Sequence, residues 1–235
     1  MVVVTRSHRR VLTAISVAGA LVACGPGAAT PLPEPPSIDV TRVSTGGEAM
    51  PLAGPAPVQL IGEVGATPAR ATVRVLNLDD TRPAVATTSG PDGTFALGIL
   101  AAEGNELRLE ARSGEATTAP VDVRVLRNLS GVAPVERPDC VAFEAPWLEV
   151  PTFGVQRLDV TNECTGELRI EAVSLRLGSA GFAVEAFAPE TLEPGQASSI
   201  AVTFAADEAQ AEDVLFVSVS VDGQLVRYPI SLRVQ

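Results

Sequence analysis

The stretch Val226-Arg227-Tyr228-Pro229-Ile230-Ser231-Leu232-Arg233-Val234 alternates apolar side chains with Arg, Pro and Ser. Successive side chains of a strand point to opposite faces, so this period of two predicts a strand with one face in a core. A turn-forming sequence occurs at 89–93, where Pro91 fixes φ and Gly93 suits a positive φ. Many short strands separated by turns predict an all-β chain built of sandwiches. The same alternation recurs upstream at 58–64, 71–75, 107–111, 121–125, 157–161 and 200–204.

The strand-forming segments fall into two groups. Residues 38–127 predict one β-sandwich domain and residues 140–235 predict a second. Residues 128–139, which contain two prolines, are interpreted as a short linker between them. We expect few contacts across this linker, so that each domain folds independently.

One irregularity is expected inside the second domain. The apolar positions of the segment 168–177 change phase between Ile170 and Val173. A slip of one residue turns the buried face of a strand outward, which predicts a β-bulge near Ala172.

The first residues have the zones of an export signal. Arg6, His8, Arg9 and Arg10 precede an uncharged segment of 12 residues, Val11–Val22, whereas a membrane-spanning helix needs about 20. The following Leu21-Val22-Ala23-Cys24 resembles the lipobox of bacterial lipoproteins, whose cysteine thiol receives the lipid. The resemblance implies a signal peptide over 1–23 and lipid on Cys24. Gly25 stands where relatives retained at the inner membrane have Asp, which implies the outer membrane. An ordinary secretory signal with an incidental cysteine is the alternative.

Residues 24–37 form a proline-rich segment between the predicted anchor and the first domain. Proline removes backbone donors and favours an extended polyproline II conformation. We interpret this segment as a tether, which at about 3.1 Å per residue reaches roughly 40 Å.

Composition excludes several functions. Loss of residues 1–23 removes three of the 17 basic residues and no acidic one, which leaves 14 Arg, no Lys and 28 acidic residues, a net charge of −14. Such a chain repels nucleic acid and anionic headgroups, so the lipid must anchor it alone. His8 is the only histidine, so no imidazole remains as a general base or zinc ligand. We therefore predict no enzyme, cofactor or metal, and interpret the many acids as solvated strand faces.

Two further resemblances concern the domains. Thr87-Thr88-Ser89-Gly90-Pro91-Asp92-Gly93-Thr94-Phe95, followed by Glu103-Gly104-Asn105-Glu106-Leu107 and a valine-rich strand, resembles bacterial immunoglobulin-like repeat domains. Carboxypeptidase regulatory-like domains share the Asp-Gly-Thr-Phe turn and are the near alternative. Both resemblances imply a sandwich, with Phe95 buried, and neither implies an activity.

The second domain resembles the ASH/MSP-type immunoglobulin-like domains, which also occur in bacterial surface proteins of the choice-of-anchor kind. It departs from their pattern at Glu163-Cys164, where a small residue and Gly are common. The matching segments are Phe153-Gly154, Leu158-Asp159-Val160-Thr161-Asn162, Leu168-Arg169-Ile170, Phe182-Ala183-Val184, Leu192-Glu193-Pro194-Gly195 and Ile200-Ala201-Val202-Thr203-Phe204.

Cys140 and Cys164 are the thiols that remain once Cys24 carries lipid. Cys140 precedes the first strand of the second domain and Cys164 follows the next long strand. Antiparallel pairing brings such positions to one edge, and export places them in an oxidising compartment, so we predict a disulfide. Two free thiols, or a redox or metal role, are the alternatives.

Two weaker candidates concern ligands. Trp147 and Tyr228 offer an aromatic platform for a sugar, although the phase of its strand favours Tyr228 as a core residue. The acids Asp207, Glu208, Glu212 and Asp213 offer carboxylates for calcium, but their spacing matches no calcium motif and favours a solvated loop.

These observations favour a non-enzymatic, lipid-anchored envelope or surface protein. It would present immunoglobulin-like modules for contact with a protein partner, through loops or an exposed edge strand. A carbohydrate-binding surface module is the alternative, and a hydrolase with paired carboxylates is a third class that we disfavour.

Overall fold

Strands and turns make up nearly all of the described chain. The computed structural model describes residues 37–46, 54–114, 116–127, 131–178, 181–206 and 211–235. A single turn of 3-10 helix, Val40–Arg42, precedes the strands. Within the described ranges, no helix has the length and apolar character needed to cross a membrane. The all-β prediction is confirmed, whereas Cys24, the predicted signal peptide and residues 24–36 of the tether lie outside the described residues.

The first sandwich has one sheet of three strands, in the order β1-β2-β5, and one of five, in the order β4-β3-β6-β8-β9, with β7 paired to β6. Its strands are β1 (Val43–Gly46), β2 (Ala56–Gly62), β3 (Thr72–Asn77), β4 (Val85–Thr88), β5 (Phe95–Ala101), β6 (Glu106–Ser113), β7 (Ala116–Thr117), β8 (Val121–Val125) and β9 (Val132–Pro134).

Aliphatic side chains fill the core of the first sandwich. Leu60, Val75 and Leu109 are wholly buried there, and Phe95 is the one aromatic ring of this cluster. The turn before β5 forms as predicted: Gly93 has a φ of 81°, and its amide donates to the carbonyl of Gly90. This turn joins the two sheets, since β4 pairs with β3 and β5 with β2.

The second sandwich has sheets in the orders β10-β12-β16-β14 and β11-β18-β17-β13-β15. The four-stranded sheet has the strand order of the A-B-E-D sheet of the immunoglobulin fold. The run β18-β17-β13 of the other sheet has the order of its G-F-C sheet. Its strands are β10 (Val141–Phe143), β11 (Trp147–Val150), β12 (Val155–Asn162), β13 (Leu168–Leu175), β14 (Phe182–Val184), β15 (Glu190–Leu192), β16 (Ala197–Phe204), β17 (Glu212–Val221) and β18 (Gln224–Val234).

The core of the second sandwich lies between these sheets. Leu158, Ile200, Leu215 and Leu232 are almost fully buried in it. The register of β13 against β17 shifts between Ile170 and Ala172, so the predicted β-bulge is confirmed.

The segment 128–139, predicted as a linker, contains part of the first sandwich. Val132–Pro134 forms strand β9 and pairs with β8 at the edge of the five-stranded sheet. The side chain of Arg137 then makes ion pairs with both Glu106 and Asp122 of that sheet. The chain between the sandwiches is therefore fixed by hydrogen bonds.

The two sandwiches pack side by side through sheet faces, within one compact unit. The outer face of β6 lies against the outer face of β18, and β3 lies against β17. Glu106, at the start of β6, contacts Arg227 of β18, and Glu110, further along β6, contacts Arg233, further along β18. The two strands therefore run in the same direction. The expectation of few contacts between the domains is wrong, because the polar face of β6 is covered by another sheet.

One end of the first sandwich holds the start of the described chain. Ile38 is buried there, and the amide of Asp39 donates to the carbonyl of Ala66, in the loop after β2. β3 begins after this loop, where Thr72 pairs with Arg112 near the end of β6. Strand β6 therefore runs towards this end.

The common direction of β6 and β18 identifies which end of the second sandwich lies beside this end of the first. β11 runs parallel to β18, with Val150 beside Val234, so the turn that follows β11 and contains Phe153 lies at this end too. We call it the tether end. The opposite end, with Asn105 and the Asp222-Gly223 turn, is the far end.

Candidate interaction site

Arg108 of β6 lies at the centre of the interface between the sandwiches. Its side chain is 5% exposed, and its Nε and Nη2 donate to the two carboxylate oxygens of Asp122 at 2.8 and 2.9 Å. Across the interface, Nη1 donates to Ser231 Oγ at 3.1 Å and Nη2 to the carbonyl oxygen of Pro229 at 2.5 Å. A bidentate pair of this kind fixes orientation as well as adding energy.

Arg137, from the segment between the sandwiches, extends this network. Its Nη1 donates to Asp122 Oδ2 at 2.8 Å and its Nη2 to Glu106 Oε2 at 2.9 Å. Its Nε donates to the carbonyl oxygen of Arg227 at 2.6 Å. One side chain thus joins two carboxylates of the first sandwich to the backbone of the second.

Two arginines of β18 add further ion pairs across the interface. Arg233 Nη2 donates to Glu110 Oε2 at 2.8 Å, and Arg227 Nη2 donates to Asp79 Oδ1 at 2.7 Å. The Arg227 guanidinium also lies over the ring of Phe216, 4.5 Å from its centroid. Burial opposes the charge of Arg227, but hydrogen bonds and charge from Asp79 and Glu106 leave its pKa above the ordinary value.

An apolar cluster lies beside these charges. Leu76 and Leu78 of the first sandwich pack against Val214 and Phe216 of the second. Every buried side-chain nitrogen and oxygen of the described residues has a hydrogen-bond partner. Because unpaired buried charges are costly, this complete pairing favours one fixed arrangement of the sandwiches. The acids Glu106, Glu110 and Asp122 are therefore interface residues and not the solvated face that alternation predicts.

At the far end, the sandwiches form an open groove of about 550 Å³, which we call the far-end groove. Leu225 projects from it and is 67% exposed. The groove takes its lining from both sandwiches: Asp79, Glu103, Gly104, Asn105, Glu106, Arg124, Val135, Glu136, Arg137, Gln224, Leu225, Val226 and Arg227. An apolar residue among mixed charges suits contact with a protein surface.

A second cleft, of about 310 Å³, opens beside the interface where β3 faces β17. Arg176 crosses it and donates to the carbonyl oxygens of Asn77 and Arg82. Burial lowers the pKa of Arg176 below its ordinary value, although the charges of Asp213 and Asp80 oppose this. The arginines here are already bound to groups of the chain itself.

The predicted disulfide between Cys140 and Cys164 is present, with the two Cα atoms 4.6 Å apart. β10 pairs with β12 so that Val141 lies opposite Asn162, which brings the flanking cysteines together at one edge. Asn162 is fully buried, and its Oδ1 accepts from the amide of Cys164 at 2.9 Å. The departure from the family pattern at Glu163-Cys164 therefore coincides with the disulfide.

The two candidate sugar-binding aromatics do not form a platform. Tyr228 is 7% exposed, packs against Phe143 and donates its hydroxyl to the carbonyl of Pro138 at 2.8 Å. Burial raises its pKa to about 12. Trp147 is half-buried, with the guanidinium of Arg233 5.6 Å from its ring centroid.

The acidic segment proposed for calcium is used in other ways where it is described. Asp207 and Glu208 lie outside the described residues. Glu212 pairs with Arg74 across the interface, and Asp213 is buried and accepts from the amides of Leu177 and Gly178. Within the described ranges, no group of three His, Cys, Asp or Glu side chains is placed to hold a metal.

No family model and no curated protein matches this chain. Among solved structures, VesB protease of Vibrio cholerae is similar with 12% identity and a TM-score of 0.34, over 79% of this chain and 67% of that one. A Salmonella alpha-2-macroglobulin mutant is similar with 13% identity and a TM-score of 0.31, over 83% of this chain and 16% of that one. The extracellular domains 3–5 of Drosophila OTK are similar with 13% identity and a TM-score of 0.21, over 86% of this chain and 67% of that one.

Proposed function

We propose that this chain is a non-enzymatic envelope protein, anchored in the outer membrane by lipid on Cys24, that binds a protein partner through the far-end groove. The lipobox-like Leu21-Val22-Ala23-Cys24 supports the anchor, and the absence of histidine from residues 24–235 supports a binding function over catalysis. The disulfide suits an oxidising compartment outside the cytoplasm.

The observation that carries the binding proposal is the position of Leu225. It is exposed at 67%, and it lies in a groove to which both sandwiches contribute. An exposed apolar side chain among charged groups of both signs, in a concave surface, suits contact with a protein partner. The contacts around Arg108 fix the two sandwiches that form the walls of this groove. The groove is therefore preformed, and less free energy is lost in ordering it when a partner binds.

Lipidation is tested in cells that express the full chain. We expect incorporation of an alkyne-tagged fatty acid into the parent protein and none into Cys24→Ser, because only the thiol accepts the diacylglycerol. The variant should also move from the membrane to the soluble fraction, since two or more acyl chains are needed for stable anchoring. Unchanged membrane association of Cys24→Ser would contradict the anchor.

Partner binding is tested by photo-crosslinking in cells, with a photoreactive phenylalanine analogue in place of Leu225. We expect a discrete crosslinked envelope protein, identified by mass spectrometry, because the introduced ring lies in the groove. The control places the same analogue at Asp159, which is exposed on the outer face of β12.

The outcome decides between the candidate functions. Equal crosslinking at Asp159 and Leu225, or none at either, would contradict a protein site in the groove. Specific binding of the purified chain on a glycan array, abolished by Leu225→Asp, would favour the carbohydrate-binding alternative.

A further inference from the structure

The tether end carries exposed apolar side chains on both sandwiches. Phe153 is 66% exposed and Val155 is 51% exposed on the second sandwich, and Val64 is 58% exposed in the loop after β2 on the first. A phenyl ring in water is unfavourable, so these positions are suited to an apolar contact.

The backbone at Phe153 adds a second observation. Its φ is 52°, in the left-handed region that bulky residues rarely adopt. The turn is fixed on both sides: Gly154 donates its amide to the carbonyl of Pro151 at 2.9 Å, and Thr152 donates its hydroxyl to the carbonyl of Gln235 at 3.4 Å. The fold thus maintains a strained conformation that leaves the ring in solvent, and such strain is concentrated at functional sites.

The path of the chain identifies what this end faces. The described chain begins beside Ile38, at the same end of the paired sandwiches as Phe153. Only 12 residues, 25–36, separate Cys24 from the described part, and an extended proline-rich chain of this length reaches roughly 40 Å. A short tether of this kind holds the sandwiches at an effective concentration of about millimolar order near the membrane surface. A contact with that surface that is too weak for free protein is then populated.

We propose that Phe153 and Val155, with Val64 on the other sandwich, contact the lipid surface in which Cys24 is anchored. This inference rests on the proposed lipid anchor. The contact is apolar, because the acidic chain is repelled by anionic headgroups. It orients the far-end groove away from the membrane, where a partner reaches it.

The test uses residues 24–235 coupled through Cys24 to phosphatidylcholine vesicles that carry maleimide headgroups. The disulfide occupies Cys140 and Cys164, so Cys24 is the only free thiol. In a Trp147→Phe background, Phe153→Trp provides a single indole. We expect brominated phosphatidylcholine to reduce its fluorescence by about twofold or more, as for an aromatic ring at the acyl boundary.

The matched control is Leu225→Trp in the same background, because Leu225 is exposed to the same extent at the far end. Its fluorescence should not change with bromination. Equal quenching of the two variants, or no quenching of Phe153→Trp on fully coupled vesicles, would overturn the proposal. Because coupling is chemical, this failure is distinct from a failure of lipidation in cells, which the fatty-acid label detects.

A further variant separates membrane contact from folding and from self-association. Asn tolerates the left-handed region, so Phe153→Asn should keep the Tm of the parent. A concentration-dependent dimer of residues 24–235 that Phe153→Asn dissociates in sedimentation would assign the surface to a second copy of the chain and overturn the proposal.

Discussion

Replacing Arg108 by alanine should lower the free energy of unfolding by about 3–5 kcal/mol, the usual cost of breaking a buried ion pair. The substitution leaves Asp122 with Arg137 alone, and it removes the donors to Ser231 and to the carbonyl of Pro229. The bonds to Ser231 and Pro229 cross the interface, so urea denaturation should also resolve separate transitions of the two sandwiches. We expect a single transition for the parent.

Two variants make this test specific. Arg169→Ala removes an exposed ion pair with Glu171 and should cost less than about 1 kcal/mol. Arg108→Met combined with Asp122→Leu removes the bidentate pair, while Arg137 keeps Glu106 and the carbonyl of Arg227 as partners. This double variant should recover part of the loss, because apolar residues of similar volume often replace such pairs. A transition of Arg108→Ala that coincides with that of the parent would show that the interface contributes no stability.

Removing the Cys140–Cys164 disulfide should cost about 3 kcal/mol, the loop-closure entropy for cysteines 24 residues apart. The double variant Cys140→Ser, Cys164→Ser should therefore unfold at a lower urea concentration than the parent, and added reductant should shift only the parent. The first sandwich contains no cysteine, so in the Arg108→Ala background its separate transition should stay in place and serve as an internal control.

Peptide mapping provides the complementary measurement. Without reduction, protein purified from the envelope should yield one linked pair of peptides that contain Cys140 and Cys164. Quantitative alkylation of both thiols, or a double variant as stable as the parent, would show that the disulfide has no structural role.

Alternation and spacing were sufficient to predict much of the fold. The run from Val226 to Val234 is a strand whose apolar residues face the core, and the phase change at Ala172 is a bulge. The disulfide was predictable because antiparallel pairing of neighbouring strands leaves few positions for the two cysteines. Each of these features depends on contacts within one sandwich, where the period of two is informative.

The interface could not be predicted from the same pattern. Alternation identifies which side chains leave the core, but it does not distinguish water from a second sheet, so it predicts solvated acids at Glu106 and Glu110. A usable signal was present in the continuous apolar run from Val214 to Val217, which is typical of a strand buried on both faces. The far-end groove requires both sandwiches in their observed register, which follows from that interface and from no local motif.

The shared direction of β6 and β18 has a mechanical consequence. Ile38 and Gln235 both lie at the tether end. Tension applied between these two residues therefore separates the two sandwiches starting from the tether end. The load then falls first on the pairs Arg74–Glu212 and Arg233–Glu110, and it reaches Arg108 and Arg137 only after these have opened. Bonds broken one after another rupture at lower force than bonds sheared together. The interface should therefore resist thermal separation well and a directed pull at its ends poorly.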